Sequence, residues 1–298
     1  RLERVTRVPS RFWNNLETQY QDRKARLASS ATEAEDFAWL KSIPTKELIK
    51  RNAIPSHGNQ VELLEATLSF FGVASVSAWK SGWSKHHIAF RKSAGTDECT
   101  GGIAAWVRLA ELRAAQTDCS PFDADRLKST LKKIRGLTLL APEKFVTEMR
   151  SLFAEAGVAL VLVPEIPGSK VSGAARWLSD TKAMIAVNLR GKSNDKFWFT
   201  LFHEVGHILN DRRDEVFVDV DYGDDPREHA ANEFARDELI PPAHSKELKK
   251  LKSIATVRAF ALRIGIHPGI VVGRLQYEKI VPYTHMNDLK ARLHWADA

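Results

Sequence analysis

Cysteine is scarce in this sequence of 298 residues, which contains only Cys99 and Cys119. Two cysteines outside a Cys-x-x-Cys pair do not form the dense disulfide framework of a small secreted protein, so we interpret them as free thiols. Long hydrophobic runs are also missing, since the apolar stretch Val158–Val163 is far shorter than the roughly 20 residues of a membrane-spanning helix. The basic start Arg1–Val5 lacks the apolar core of a secretory signal. These absences predict a cytoplasmic protein without membrane contact.

The composition is that of a folded chain. Hydrophobic residues make up 44% and charged residues 27% of the sequence, which argues against a disordered or fibrous protein. The net charge of +7 favours anionic partners, a class that includes nucleic acids without singling them out. The length suits two compact units and some additional chain.

Apolar periodicity and chain breaks divide the sequence into three predicted parts. Residues 1–30 carry one helix, Ser10–Ser29, and residues 31–141 form a helical middle domain. A further domain, residues 142–298, begins with a helix that ends at Gly157, the favoured residue for a helix C-terminus.

The last of these parts combines strands with helices. Three short strands are predicted, at Val158–Val163, Gly173–Leu178 and Ala183–Leu189. A helix then runs from about Lys196 to Leu209, with Ser193, Asn194 or Asp195 as its N-cap. The predicted fold class is therefore α+β, mainly helical, with a small sheet packed on that helix.

Basic and aromatic residues alternate in the middle domain, at Trp79–His87 and Phe90–Lys92. This composition is found where proteins bind single-stranded nucleic acid. Aromatic residues at such spacing more often fill a core while lysine and arginine stay solvated, and we favour that interpretation. Because no carboxylates lie near His86 and His87, we interpret these histidines as structural or surface residues rather than metal ligands.

The predicted helix Lys196–Leu209 contains a His-Glu-x-x-His pattern, in which His203 and His207 are four residues apart. Residues at this spacing share one face of an α-helix, so both imidazoles can bind the same zinc ion. Glu204, beside His203, can then reach a water on that ion and act as a general base. The alternative is a core helix whose histidines bond to backbone carbonyls. Gly206 argues against it, because glycine within a helix often marks close packing.

A catalytic zinc site has three protein ligands and one open position, so a third ligand is expected. Most carboxylates that follow Asp211 lie in a polar loop and are expected to be solvated, namely Asp219, Asp221, Asp224 and Asp225. A helix is predicted from Pro226, with Ala231, Phe234, Ala235 and Leu239 on its buried face. Glu228 shares that face, whereas Glu233 and Glu238 are expected to be exposed.

The His203–His207 pattern, followed by Glu228-x-x-x-Asn232-x-Phe234-Ala235 and Leu239-Ile240-Pro241, resembles the ImmA/IrrE family of metallo-endopeptidases. The resemblance extends from about Pro142 to the end of the chain. It implies that Glu228 completes the zinc site and that Asn232 supports a ligand. This chain has Ala230 where many relatives carry a second acidic residue, so any role of that acid is absent.

Two further segments suggest DNA-binding parts. Val8–Tyr20 resembles the closing helix of XRE-type helix-turn-helix domains in HigA-like antitoxins, which implies DNA-reading helices before Arg1. Thr256–Leu275 has two helical runs around Gly265, also compatible with a helix-turn-helix. For the second segment we favour ordinary packing, because helix pairs with a short turn are common packing units.

The predicted function is zinc-dependent endopeptidase activity in which Glu204 accepts the proton of the attacking water. Tyr222 and His229 are both candidates to stabilise the oxyanion. An edge of the strand Gly173–Leu178 or of Ala183–Leu189 is a candidate site for an extended substrate. The family implies a specific protein substrate, often a helix-turn-helix repressor. The alternative is a DNA- or toxin-binding regulator with a structural or vestigial zinc site.

Overall fold

The computed structural model describes residues 16–17, 19, 30–56, 58–82, 97–211, 216–219 and 225–295. Most of the predicted helix Ser10–Ser29 lies outside these residues, and so do His86, His87 and Tyr222. The interpretations made for them stay predictions.

The first half of the described fold is helical and contains α1 (Ser30–Ser42), α2 (Thr45–Lys50), α3 (Gln60–Phe71) and α4 (Asp97–Ala115). Helix α3 begins where the Asn59 side chain accepts a hydrogen bond from the Glu62 backbone, and it ends at Gly72 with a positive φ of 69°. Trp79 packs against Trp39, with 5.3 Å between ring centroids, and it is buried. In the described part of the basic and aromatic stretch, the aromatic residue is therefore a core residue.

The second half begins with two helices and three strands: α5 (Ala124–Gly136), α6 (Pro142–Glu155), β1 (Val158–Leu162), β2 (Gly173–Ser179) and β3 (Lys182–Val187). It continues with α7 (Asn194–Asn210), β4 (Val216–Asp219), α8 (Pro226–Leu239), α9 (Ser245–Leu248), α10 (Ile254–Ile264) and α11 (Pro268–Tyr277). The short 3-10 helices are Leu137–Leu139, Pro242–His244 and Asn287–Leu289. The predicted α+β class, mainly helical, is confirmed.

The four described strands form one mixed sheet in the order β1-β3-β2-β4. Strand β3 is parallel to β1 and antiparallel to β2, and β4 pairs antiparallel with β2 from Gly173–Asp219 to Arg176–Val216. Both β3 and the first half of β2 are therefore inner strands. The hypothesis that these strands offer a free edge to a substrate is wrong there, because their backbone groups already pair on both sides.

The sheet separates two hydrophobic clusters. Helices α1 to α4 cover one face, where Val161, Ala174 and Met184 point toward them. Helices α5 to α8, α10 and α11 cover the other face, which carries Leu160 and Ile185. Alternation along each strand produces this division. The predicted domain boundary at residue 141 stays a prediction, although the clusters on both faces include residues from both sides of it.

Helices α10 and α11 meet at an angle of 115°, which is compatible with a helix-turn-helix. The second helix is nevertheless buried through Ile270, Val271, Val272 and Leu275. A recognition helix has to present its side chains to a DNA groove, and these side chains lie in the core. The structure favours the interpretation of the pair as a packing unit.

In the described part of the chain, one helical segment, Gln60–Gly82, is long and apolar enough to cross a membrane, judged by length and composition alone. Core helices of water-soluble proteins pass the same comparison, and Leu64, Leu68 and Phe71 of this segment lie in the hydrophobic cluster of α1 to α4. Helices α10 and α11 reach the length and apolar character of a membrane span only if they are counted as one segment across their bend. The cytoplasmic location stays a prediction.

Candidate metal centre

Helix α7 lies at the centre of the second half and is buried along nearly its whole length. A helix that is buried almost all round requires neighbours on every side. The sheet lies on one side and α8 on another. At Gly206 the two helices approach so closely that an added Cβ would be 3.1 Å from the Ala231 Cα atom. Glycine at this position therefore brings α8, and with it Glu228, to the two histidines.

Three side chains converge at the contact between α7 and α8. The Nε2 atoms of His203 and His207 are 3.0 Å apart. The carboxylate of Glu228 lies 3.1 Å from His203 Nε2 and 3.5 Å from His207 Nε2. Ligands arranged tetrahedrally at zinc-to-ligand distances of 2.0–2.1 Å are separated by about 3.3 Å. Two imidazoles and one carboxylate at these distances can hold a metal ion, and their donor set suits zinc.

Two polar residues orient the histidines. Nδ1 of His203 donates a hydrogen bond to Asn232 Oδ1 at 3.1 Å, and Nδ1 of His207 donates to Asp211 Oδ2 at 2.6 Å. With both Nδ1 atoms used in this way, the lone pairs of both Nε2 atoms face the position between them. Asn232 thus lies where the family resemblance implies. No role was predicted for Asp211 from the sequence, although it lies four residues after His207, a spacing that brings two side chains together at the end of a helix.

Protonation at the centre reflects these close contacts. Burial lowers the pKa of His207, but hydrogen bonds with Asp211 and Glu228 and the nearby Glu204 carboxylate outweigh it and raise the pKa to about 10. Burial raises the pKa of Glu228, but hydrogen bonds with His203 and His207 outweigh this effect and lower the pKa to about 2. A positive charge between the two Nε2 atoms is therefore strongly favoured, whether a proton or a cation supplies it.

Glu204 is fully buried beside His203 and packs against the first residue of β2. A Cβ atom at Gly173 would lie 2.4 Å from Glu204 Oε1 and 2.6 Å from Thr200 Cγ2. Only glycine leaves room for the carboxylate in this position. From the sequence, Gly173 is predicted only as the start of a strand. Its role depends on a contact between β2 and α7 that no local pattern reveals.

Among the described residues, the other candidates do not belong to the group of side chains that converges at the centre. His229 is exposed, and Glu233 is exposed as predicted. Glu238 is half-buried rather than exposed, and burial raises its pKa. Asp225, expected to be a solvated loop residue, is the N-cap of α8, where its side chain accepts a hydrogen bond from the Arg227 backbone.

A comparison with protein families identifies the region that holds the centre. Residues 159–272 match the family model described as Peptidase_M78, IrrE N-terminal-like domain. The matched region includes the four described strands, with β1 from residue 159 on, and the helices α7 and α8. A search of curated proteins found no match.

Proposed function

Because residues 159–272 form an IrrE N-terminal-like domain of the Peptidase_M78 family, we propose that the protein is a zinc-dependent endopeptidase. The observation that carries this proposal is the convergence of His203, His207 and Glu228 beside the buried Glu204. Three protein ligands leave a coordination position for water, as catalytic zinc sites do.

His203, His207 and Glu228 would hold the ion. A zinc ion held there would supply a Lewis acid for the scissile carbonyl and for the attacking water. Glu204 accepts a proton from that water at a carboxylate oxygen and passes it to the nitrogen of the leaving amine. Asn232 and Asp211 keep the imidazoles turned toward the ion, and Gly173 leaves space for the Glu204 carboxylate. No covalent intermediate with the protein is required.

The substrate that we propose is a protein rather than a small peptide, with a helix-turn-helix repressor as the candidate class. The family resemblance supports this choice. Purified protein is incubated with repressors encoded beside its gene, and new N-termini are identified by mass spectrometry. The expected result is one defined cut by the wild type and none by Glu204→Gln. Equal cutting by both proteins would show a contaminating protease and contradict the proposal.

The alternative function is a regulator that binds DNA or a toxin without turnover, in which zinc is structural. A closed structural site has four protein ligands and has no use for a buried carboxylate beside it. The location of Glu204 therefore favours the peptidase. Loss of regulation in a Glu204→Gln strain supports cleavage, whereas unchanged regulation supports binding alone.

A further inference from the structure

Positive charge is concentrated in two segments of the chain, residues 124–136 and 245–264. Together they contain eleven lysines and arginines but only two carboxylates, Asp125 and Glu247. Their excess of nine positive charges is larger than the excess of seven of the whole chain, so the rest of the sequence is slightly acidic. Such asymmetry gives a protein one face that attracts anions.

The two segments are neighbours in space. Arg135, in the last turn of α5, donates a hydrogen bond of 3.0 Å to the Ile264 carbonyl at the end of α10. Arg263 of α10 pairs with Glu247 of α9, which stands among the lysines of the second segment. We call the exposed side of α5, α9, the residues that follow α9, and α10 the basic surface. Its residues are Arg126, Lys128, Lys132, Lys133, Arg135, Lys246, Lys249, Lys250, Lys252, Arg258 and Arg263.

Among the described residues, at least five of the eleven cations of the basic surface are available to bind an external anion. Lys128, Lys132 and Lys133 are exposed, and so are Lys246 and Lys249. In the part of the chain that the structure describes, none of these five forms an ion pair with a carboxylate. Arg126 and Arg263 are paired, with Glu155 and Glu247. Neighbouring lysines without carboxylate partners repel one another, and a bound polyanion would relieve that repulsion.

The type of residue indicates the kind of polyanion. Lysine predominates on the basic surface, and lysine is depleted at protein–protein interfaces. Both segments are fully described, and neither has an exposed aromatic residue on which an unpaired base could stack. Lysines without aromatic partners suit the phosphate backbone of a duplex. We propose that the basic surface binds double-stranded nucleic acid through its phosphates, without reading base sequence.

This binding is separate from the metal centre and does not rest on the peptidase function. None of the three candidate metal ligands, nor Glu204, belongs to the basic surface. Phosphate contacts of this kind would hold the protein near nucleic acid, where a partner that binds the same duplex is concentrated.

The test measures binding to a labelled 30-base-pair DNA duplex by fluorescence anisotropy at several salt concentrations. The first variant replaces Lys128, Lys132 and Lys133 of α5 by glutamine. The matched control replaces Lys41, Lys46 and Lys50, which are exposed lysines on α1 and α2 at the opposite face of the sheet. Both variants lose the same net charge, and thermal unfolding followed by circular dichroism verifies that both fold.

Wild type is expected to bind with a dissociation constant on the order of micromolar at 0.1 M salt. The α5 variant should bind at least about tenfold more weakly, with the slope of log affinity against log salt reduced by about 2.7. The control should change less than about threefold. Equal losses in both variants would reduce the effect to net charge and overturn the proposal. Tighter binding of polyglutamate or single-stranded DNA than of the duplex would overturn it too.

Discussion

At the scale of single residues, the position of Glu204 depends on residue 173 being a glycine, which has no side chain to occupy the space of the carboxylate. A methyl group on Gly173 would overlap the Glu204 carboxylate, and this flexible carboxylate is the group that can move away most easily. We therefore expect Gly173→Ala to fold and bind zinc but to cleave substrate about 100-fold more slowly, since small displacements of a catalytic group have effects of this size.

The measurement for Gly173→Ala is single-turnover cleavage alongside zinc content. Gly136→Ala is the matched control, because an added Cβ there meets nothing within 4 Å. Unchanged cleavage by Gly173→Ala would show that Glu204 has another productive position or is not the base.

The pKa of His207 predicts how zinc affinity depends on pH. In protein stripped of metal, a pKa of about 10 keeps His207 protonated at neutral pH, and zinc has to displace this proton. The apparent dissociation constant should therefore fall about tenfold per pH unit between pH 6.5 and 8. Glu228, with a pKa of about 2, is already ionised there and adds no slope.

Competition with a chromophoric chelator measures this slope. Asp211→Asn removes the carboxylate that hydrogen bonds to His207, so its pKa should move down toward the ordinary value of 6.5. The slope of this variant should flatten above about pH 7, and its zinc affinity should fall about 10-fold to 100-fold. A wild-type affinity that is constant between pH 7 and 8 would contradict the raised pKa.

At the scale of secondary-structure elements, the close contact of α7 with α8 assembles the centre. Gly206→Val adds a branched side chain where the Ala231 backbone leaves no space, which should push the helices apart. Overpacking of this kind costs about 1–3 kcal/mol of unfolding free energy. Zinc affinity should fall with it, because Glu228 moves with α8. Chemical denaturation and chelator competition measure the two effects, and a loss of stability with unchanged zinc affinity would contradict the coupling.

The sequence predicted the elements better than their contacts. Short segments followed by turn-forming residues located β1 to β3, and the four-residue spacing placed His203 and His207 on one face of α7. Glu228 was chosen by its helix face together with the family resemblance. The roles of Gly173 and Asp211 and the inner positions of β2 and β3 were missed. The role of Gly173 and the inner positions of β2 and β3 depend on which elements become neighbours, and this is set by long-range packing rather than by local pattern. Asp211 is different, because it follows His207 by four residues and its contact could have been found from local spacing.

At the scale of the whole molecule, the sheet needs cover on both faces. Residues 142–298 alone would leave the face with Val161, Ala174 and Met184 without helices α1 to α4. An exposed apolar sheet face promotes aggregation. We expect the isolated fragment to aggregate or to bind a hydrophobic dye, whereas the full chain stays monodisperse in size-exclusion chromatography. A monodisperse fragment with a cooperative unfolding transition would instead establish residues 142–298 as an independent domain.

The most direct test of the account is zinc content, determined by elemental analysis of four purified proteins. Wild type and Glu204→Gln should each contain one zinc, because Glu204 serves the reaction and not the ion. Glu228→Ala should lose it, while Glu233→Ala, an exposed glutamate on the same helix, should keep it. Zinc that is missing from the wild type, or that remains in Glu228→Ala at full occupancy, would contradict a centre formed by His203, His207 and Glu228.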